Sequence, residues 1–336
     1  MNITNLSFGI VGCGRIGNRH AGHIKKLASL KAVCDIDIKR CEEILDDTSM
    51  CFNSIDELLT SKNKPDVISI CSPNGLHAEH TIKALRAGCH VLCEKPMALS
   101  AYDCGEMIKE SEKANRRLFI VKQNRFNPPI KALKEIIEAD KLGKIYSVQL
   151  NCFWNRNPSY YKDDPWKGSL KMDGGTLYTQ YSHFIDLLYW LFGDIKEIKG
   201  FSDNFNHNDS IEFEDTGVVA FKFRSGALGT IHHTINSNDC NMEGSITIFS
   251  EGGSIKIGGQ YLNTVDYQNT NGFELTHDVG NEANQYGKYQ GSMSNHGEVY
   301  ENVINVLDNK AKIVTNSYEG LKTIEIIERI YESYKK

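Results

Sequence analysis

Phe8-Gly9-Ile10-Val11-Gly12-Cys13-Gly14-Arg15-Ile16-Gly17 decides how the rest of this 336-residue chain is read. An apolar run enters a G-x-G-x-x-G turn. Gly12 permits a tight turn out of a strand, Gly14 lets the backbone approach a pyrophosphate, and Gly17 lets the next helix pack closely on that strand. The helix opening at Arg15 and Ile16 then offers unpaired N–H groups and a partial positive charge to phosphates. Alone, the motif is a weak signal, and its surroundings strengthen it. Phe8 to Val11 has the length of a buried parallel strand, and Ile16 to Leu30 has helical spacing, with Ile16, His20, Ile24 and Leu27 on one face. A second strand, Lys31 to Cys34, ends at Asp35. That is close to the ~20 residues beyond the turn at which a carboxylate holds a ribose hydroxyl pair. Asp35 favours NAD, because a 2′-phosphate would be repelled; Arg40, nearby in sequence, keeps the phosphorylated cofactor open.

Working outward, 336 residues exceed one typical core and suit two domains. A net charge of −5 without a basic run argues against nucleic acid as a partner. No apolar run approaches the ~20 residues that would span a membrane. The start, Met1 to Leu6, is polar and leads straight into the first strand, which leaves no room for a signal peptide. Ten cysteines are scattered singly, the pattern of reduced thiols in a cytoplasmic protein. His20/His23 and His77/His80 have a spacing that could serve a metal, but no cysteine or carboxylate set obviously completes either pair, so no metal is expected.

The first ~125 residues alternate strand and helix, as a doubly wound α/β sheet requires. Strands are expected at 66–71, 90–93 and 118–121, with helices at 39–47, 54–62, 76–88 and 100–115. Asn127-Pro128-Pro129 breaks the pattern before a helix from Ile130 to Ala139. Residues 145–154 then alternate, and strand signals recur at 217–223, 227–235, 245–250 and 254–258. Glu251-Gly252-Gly253 reads as a hairpin turn. Helices at 174–192, 297–308 and 317–334 frame this region, and 259–292 reads as loops and short edge strands. The expected architecture is a Rossmann domain over 1–125, then an α+β domain over 126–336 with a large, mostly antiparallel open sheet.

Two further stretches carry chemistry. Glu94-Lys95-Pro96 follows the strand His90–Cys93, and in an open parallel sheet ligands sit beyond the carboxyl ends of strands. Lys95 there would face the nicotinamide end of a dinucleotide; otherwise it is a surface lysine. The second stretch runs from Asp173-Gly174-Gly175 to Leu188. Leu177, Tyr181, Phe184 and Leu188 would face the core. Thr176, Thr179 or Gln180, and His183 would project together from another side. A histidine on a helix is as often a packing residue as a catalytic one.

The glycine turn, Asp35, Ser72-Pro73-Asn74 with His77, Glu94-Lys95-Pro96 and the Gly174-Gly175 helix with His183 occur in the order found in the glucose–fructose oxidoreductase / inositol dehydrogenase / MocA family, which the chain resembles along its whole length. Gln123 to Pro129, Phe153 to Asn157 with Tyr160-Tyr161 and Pro165 to Gly168, and Asp173 to His183 look like a narrower group. That group oxidises C3 of UDP-N-acetyl-2-amino-2-deoxyglucuronate in surface-polysaccharide pathways. The resemblance implies NAD, held by Gly12, Gly14, Arg15, Ile16, Asp35 and Arg40, with Ser72, Asn74, His77, Glu94, Lys95 and Gln123 toward the other end. It implies Lys95 and His183 at the reacting carbon and a homotetramer built through the C-terminal sheet. Candidate substrate contacts are Arg125, Arg156 and Lys167 for anionic groups, Tyr160 and Trp166 for packing, and Asn155, Thr179, Gln180 and His183 for hydroxyls.

Many members of the family carry an aspartate four residues before this histidine, where this chain has Thr179. Threonine hydrogen-bonds but relays no acid proton, so the proton falls to Lys95 and His183. An unperturbed lysine titrates near ~10.4, so a basic Lys95 must be pushed down by roughly three units. The competing readings are a free-sugar or inositol dehydrogenase, and a non-catalytic regulator that senses dinucleotide or sugar.

Overall fold

The computed structural model describes residues 5–162, 164–285 and 290–335. The chain divides into two compact units. One runs up to Val121 and includes His296–Ile324; the other holds Lys122–Asn295 and the chain from Glu325 onward.

In the first unit β1 (Ser7–Val11), β2 (Ser29–Cys34), β3 (Met50–Phe52), β4 (Val67–Ile70), β5 (His90–Cys93) and β6 (Leu118–Ile120) form one parallel sheet in the order β3-β2-β1-β4-β5-β6. Val11 pairs with Cys34 on one side and Ile70 on the other, so strand order reverses at β1 and leaves a crevice at the carboxyl ends. Apart from the short edge strand β3, the strands are largely buried on both faces, as connections through helices require. Those helices are α1 (Arg15–Leu27), α2 (Ile38–Glu42), α3 (Ile55–Thr60), α4 (His77–Arg86) and α5 (Ala101–Lys113). Gly12 has a φ of 95°, and a Cβ there would lie 2.6 Å from the backbone of Cys71. A Cβ at Gly17 would lie 2.1 Å from the Gly12 carbonyl oxygen, so both positions exclude any side chain.

The second unit opens with α6 (Pro128–Glu138), β7 (Ile145–Phe153) and α7 (Pro158–Lys162). Then come α8 (Thr176–Thr179), α9 (Ser182–Phe192), β8 (Ile195–Asp203), β9 (Thr216–Phe223), β10 (Leu228–Thr234), β11 (Glu243–Ser250), β12 (Gly253–Gly258) and β13 (Thr264–Thr270). The sheet order is β13-β12-β11-β7-β10-β9-β8. Every neighbouring pair is antiparallel except β7 and β10. Val148, Leu150, Ile231, Val219, Ile246 and Ile248 bury one face of this sheet. On the opposite face Phe201 pairs with Val218, and Leu228 and Phe249 lie on either side of Ser147; all four are exposed. A small hairpin, β14 (Ala283–Gln285) and β15 (Gln290–Met293), follows; residues 286–289, part of the stretch read as loop, lie outside the described residues.

Three expectations change. The single helix expected at 174–192 is two, interrupted at Gln180–Tyr181. The Tyr181 ring packs against Trp154 and His233, and its hydroxyl donates to the Thr234 carbonyl at 2.6 Å. Its N–H reaches back to the Thr176 carbonyl at 3.2 Å in a widened turn. Tertiary packing of one aromatic overrides a helical pattern, and His183 falls in the first turn of α9. The 39–47 helix contracts to α2. Two strands not expected, β3 and β8, are respectively very short and largely exposed, so neither carries a clear alternation.

The last elements are α10 (His296–Leu307) and α11 (Ser317–Tyr334). The sequence places one boundary at 125/126, whereas the compact units part at 121/122 and again at 295/296. α10 joins the first unit because the Tyr300 hydroxyl meets His20 Nδ1 at 2.7 Å and Ser69 Oγ at 2.8 Å, with its ring edge-on to Phe8. Residues 122–125 join the second because their charges are spent there. Arg125 donates to both Asp186 oxygens, at 2.8 and 2.6 Å, and Lys122 Nζ lies 3.1 Å from Oδ1. All three side chains are buried. Burial would raise the Asp186 pKa, but the two cations hold it well below the usual carboxylate range. Removing one partner of such a cluster strands charge in the core. Asp186→Ala should therefore cost about 3–5 kcal/mol, read in a denaturant titration at pH 7. Because the folded pKa is depressed, this stabilisation is present above the ordinary aspartate range and fades as pH falls below it.

Candidate active site

In the first unit the glycine turn meets the requirements of a pyrophosphate. A Cβ on Gly14 would find only Arg40 Nη1, at 3.9 Å, so the space above the turn is open. No side chain caps α1 at Gly14, which leaves the first-turn N–H groups to a phosphate. Arg15 is exposed and Ile16 half-buried on that turn. At the end of β2, Asp35 Oδ2 accepts from the Cys13 N–H at 2.7 Å and Oδ1 from the Asp37 N–H at 2.9 Å. These bonds fix the carboxylate and leave each oxygen a lone pair for a ribose hydroxyl. Arg40 pairs with Asp37 at 3.6 Å. The residues present therefore fit NAD.

Beyond β4 and β5 the expected residues are held from behind. Asn74 is buried at the start of the turn Asn74–Leu76. His77 does not present its ring to a ligand: Nδ1 lies 2.7 Å from the Pro96 carbonyl and Nε2 2.9 Å from that of Ser72. It braces the two loops against each other. Burial holds its pKa down, against the pull of the two carbonyls. Glu94 is buried, with Oε1 accepting from His20 Nε2 at 2.8 Å and His296 Nε2 at 3.3 Å, and Oε2 from the Lys95 N–H at 3.0 Å. Burial would raise its pKa, but the two histidine hydrogen bonds hold it well below the usual range. Lys95 itself is half-buried. Sequence reasoning missed this support. Its signals were a histidine on the apolar face of α1 and an i,i+4 His296/Tyr300 pair on α10.

In the second unit, Gln123 Nε2 donates to His183 Nε2 at 2.9 Å and to Ser292 Oγ at 3.0 Å, which leaves the imidazole proton on Nδ1. Arg156, Gln180, Tyr160 and Lys167 come together. Arg156 Nε donates to Gln180 Oε1 at 2.7 Å, and Gln180 Nε2 donates to the Tyr160 hydroxyl at 3.0 Å. The Arg156 guanidinium lies 5.3 Å and the Lys167 ammonium 4.1 Å from the Tyr160 ring centre. Lys167 also pairs with Asp164 at 2.7 Å. Asn155 turns its amide to the Ser237 carbonyl at 2.6 Å. Asn241, which the sequence did not single out, accepts from Arg156 Nη1 at 3.1 Å. His207, also missed, holds the Arg156 carbonyl at 2.6 Å. Trp166 is half-buried beside Lys167. Arg125 stands apart from this group, on Asp186.

Thr179 does have a carboxylate partner. Its hydroxyl bonds to Asp173, whose Oδ2 accepts from the Gly168 N–H at 2.8 Å. A threonine donating to a carboxylate turns its oxygen lone pairs outward as acceptors. Behind it, Glu214 is buried against Thr176 and the Tyr331 hydroxyl, the latter at 2.9 Å.

A doubly wound parallel sheet with an open glycine turn after β1 and a fixed carboxylate at the end of β2 is the arrangement of a dinucleotide-binding fold. Residues 6–122 match the oxidoreductase family model with an NAD-binding Rossmann fold, and residues 130–256 match the GFO/IDH/MocA C-terminal domain; the chain belongs to the GFO/IDH/MocA family of oxidoreductases. The WlbA dehydrogenase of Bordetella pertussis, solved with NADH and UDP-GlcNAcA, is 34% identical with a TM-score of 0.87, over 99% of this chain and 97% of that one. The Chromobacterium violaceum WlbA, in complex with the same two molecules, is 35% identical with a TM-score of 0.89, over 100% of this chain and 95% of that one. Myo-inositol 2-dehydrogenase of Thermotoga maritima is 30% identical over 238 residues, 68% of each chain. Among the described residues no helix is long and apolar enough to cross a membrane.

Burial pushes the Glu214 carboxyl up to about 7, against hydrogen bonds from Thr176 and Tyr331. A raised pKa favours the protonated fold, so its stabilisation is complete below the ordinary glutamate range and is lost as pH rises through about 7. Glu214→Gln keeps an acceptor without the charge. Its thermal midpoint should match the parent at pH 5 and exceed it at pH 8, by the equivalent of roughly 3 kcal/mol.

Proposed function

We propose that this protein is an NAD-dependent sugar dehydrogenase that oxidises C3 of UDP-N-acetyl-2-amino-2-deoxyglucuronate, as a step in making surface-polysaccharide sugars. The observation that carries the reading is the pair of cations, Arg156 and Lys167, ranged on Tyr160 beside Gln180. A substrate with both a carboxylate and a pyrophosphate needs charge-assisted donors of this kind. The likeness to the two WlbA enzymes over nearly the whole chain supports it. Arg125 is left out of the substrate set, because its guanidinium is spent on Asp186.

Bound NAD supplies the hydride acceptor. Lys95, as the neutral amine, takes the C3 hydroxyl proton as hydride leaves that carbon, and a ketone forms. His183 hydrogen-bonds the reacting oxygen, its tautomer set by Gln123. Thr179, oriented by Asp173, accepts from a sugar hydroxyl.

Absorbance at the NADH maximum, with NAD and a panel of the UDP-uronate, UDP-N-acetylglucosamine, myo-inositol and glucose, tests the reading. Turnover with the uronate alone is expected. Turnover with myo-inositol would support the polyol reading that the Thermotoga relative favours. Lys95→Ala should lower kcat by about 10²–10⁴ while NAD still binds. Arg156→Gln should raise KM for the uronate about tenfold or more, the worth of one charge-assisted hydrogen bond.

We also propose that the exposed sheet face is covered by a second copy in a homotetramer. Phe201 on that face is 86% exposed and pairs with Val218, and Leu228 and Phe249 flank Ser147 further along the same face. Large apolar side chains left exposed on one sheet face mark an interface, and a twofold axis lets one face cover its copy. Sedimentation should give a tetramer at micromolar concentration, and Phe201→Glu with Leu228→Glu should give a smaller species. A parent that sediments as a monomer refutes the assignment.

A further inference from the structure

Three N–H donors converge on one buried carboxylate at the end of β5, and no step of the proposed reaction uses it. Glu94 is the first residue beyond that strand. In this sheet the ribose carboxylate Asp35 closes β2 on one side of the switch point at β1, so the β4–β5 side faces the other end of a bound dinucleotide. The oxidised nicotinamide ring carries a positive charge and the reduced ring does not.

We propose that Glu94 is a fixed negative charge that makes this protein bind the oxidised dinucleotide in preference to the reduced one, held ionised by His20, His296 and the Lys95 amide. A buried hydrogen-bond chain stands behind the carboxylate: Ser69 Oγ lies 2.8 Å from the Tyr300 hydroxyl, and that hydroxyl 2.7 Å from His20 Nδ1. His20 Nε2 meets Glu94 Oε1 at 2.8 Å. His296 Nε2 donates to the same oxygen at 3.3 Å, and the Lys95 N–H to the other at 3.0 Å. Three donors and no acceptor face the carboxylate in this set, so the anion is the form that completes it. Burial alone favours the acid; these donors reverse that. A charge in a site screened from water acts on a nearby cation far more strongly than on a neutral ring, on the order of tenfold in affinity. Preference for the oxidised form also eases release of the reduced product. None of this depends on which sugar is oxidised.

The test is binding of NAD, NADH and ADP-ribose, by calorimetry or fluorescence, to the intact protein and to Glu94→Gln. ADP-ribose lacks the nicotinamide and reports the rest of the site. The ratio of the NAD to the NADH Kd should rise about tenfold in Glu94→Gln with ADP-ribose affinity unchanged, and Glu94→Asp, which keeps the charge, should restore it. An unchanged ratio, or equal weakening of all three ligands, overturns the proposal. If Glu94→Gln does not fold, His296→Leu removes one donor and should move the ratio in the same direction, more at pH 6 than at pH 8; no movement there also overturns it. The donor atoms of His20, Glu94 and His296 lie within 4.8 Å of one another, close enough for a divalent metal. One metal per chain in the purified protein would neutralise the carboxylate and refute the proposal. Absence of sugar turnover would leave these binding results standing.

Discussion

The buried carboxylate of Asp186 is the interaction on which the second unit's chemistry rests. It neutralises Arg125 and Lys122, all three in the core, and so ties the turn Gln123–Phe126 to α9. Neither segment could approach the other without it, because two uncompensated cations would be taken out of water. Once the pair is closed, Gln123 and His183, two and three residues away on the same segments, come within hydrogen-bond distance. The buried salt bridge thus holds Gln123 where its amide meets His183 Nε2. Breaking a buried charge cluster is costly, and the intact cluster also fixes local geometry.

The first unit follows the same logic with a different charge. Glu94 is set by donors from three places: α1, α10 and its own neighbour's backbone. His77 takes the carbonyls of Ser72 and Pro96. The half-buried Lys95 therefore sits on a segment whose flanking residues are both immobilised by buried polar contacts. A lysine on a loose loop would spend its time in many rotamers; one on a braced segment is held closer to one geometry. The glycine turn contributes the complementary feature, backbone with no side chain to exclude a phosphate.

The fold was largely legible because its signals are local. The G-x-G-x-x-G turn, Asp35, and the strand–helix alternation up to Val121 each depend on a few adjacent residues, and the parallel sheet follows from them. The two-faced alternation of β7 and the Glu251-Gly252 turn between β11 and β12 were legible for the same reason. β3 and β8 were not, one too short and one too exposed to show a pattern. The break at Tyr181 was invisible because its cause, a hydroxyl on Thr234 and a ring on Trp154, lies far along the chain. Thr179 looked like the loss of an acid until Asp173 was found against it. Arg125 looked like an anion reader because nothing local announced Asp186.

By itself the sequence determined the dinucleotide-binding half, the pairing of a parallel sheet with a mostly antiparallel one, and the family. These rest on residue type and short spacing. Tertiary structure alone decided which partner each charge finds. It set Arg125 and Lys122 on Asp186, gathered Arg156 and Lys167 around Tyr160, turned His77 inward and enclosed Glu94 among histidines brought from both ends of the chain. The reason is physical. Burial makes every polar group find a partner, and which partner it finds depends on contacts that span tens to hundreds of residues.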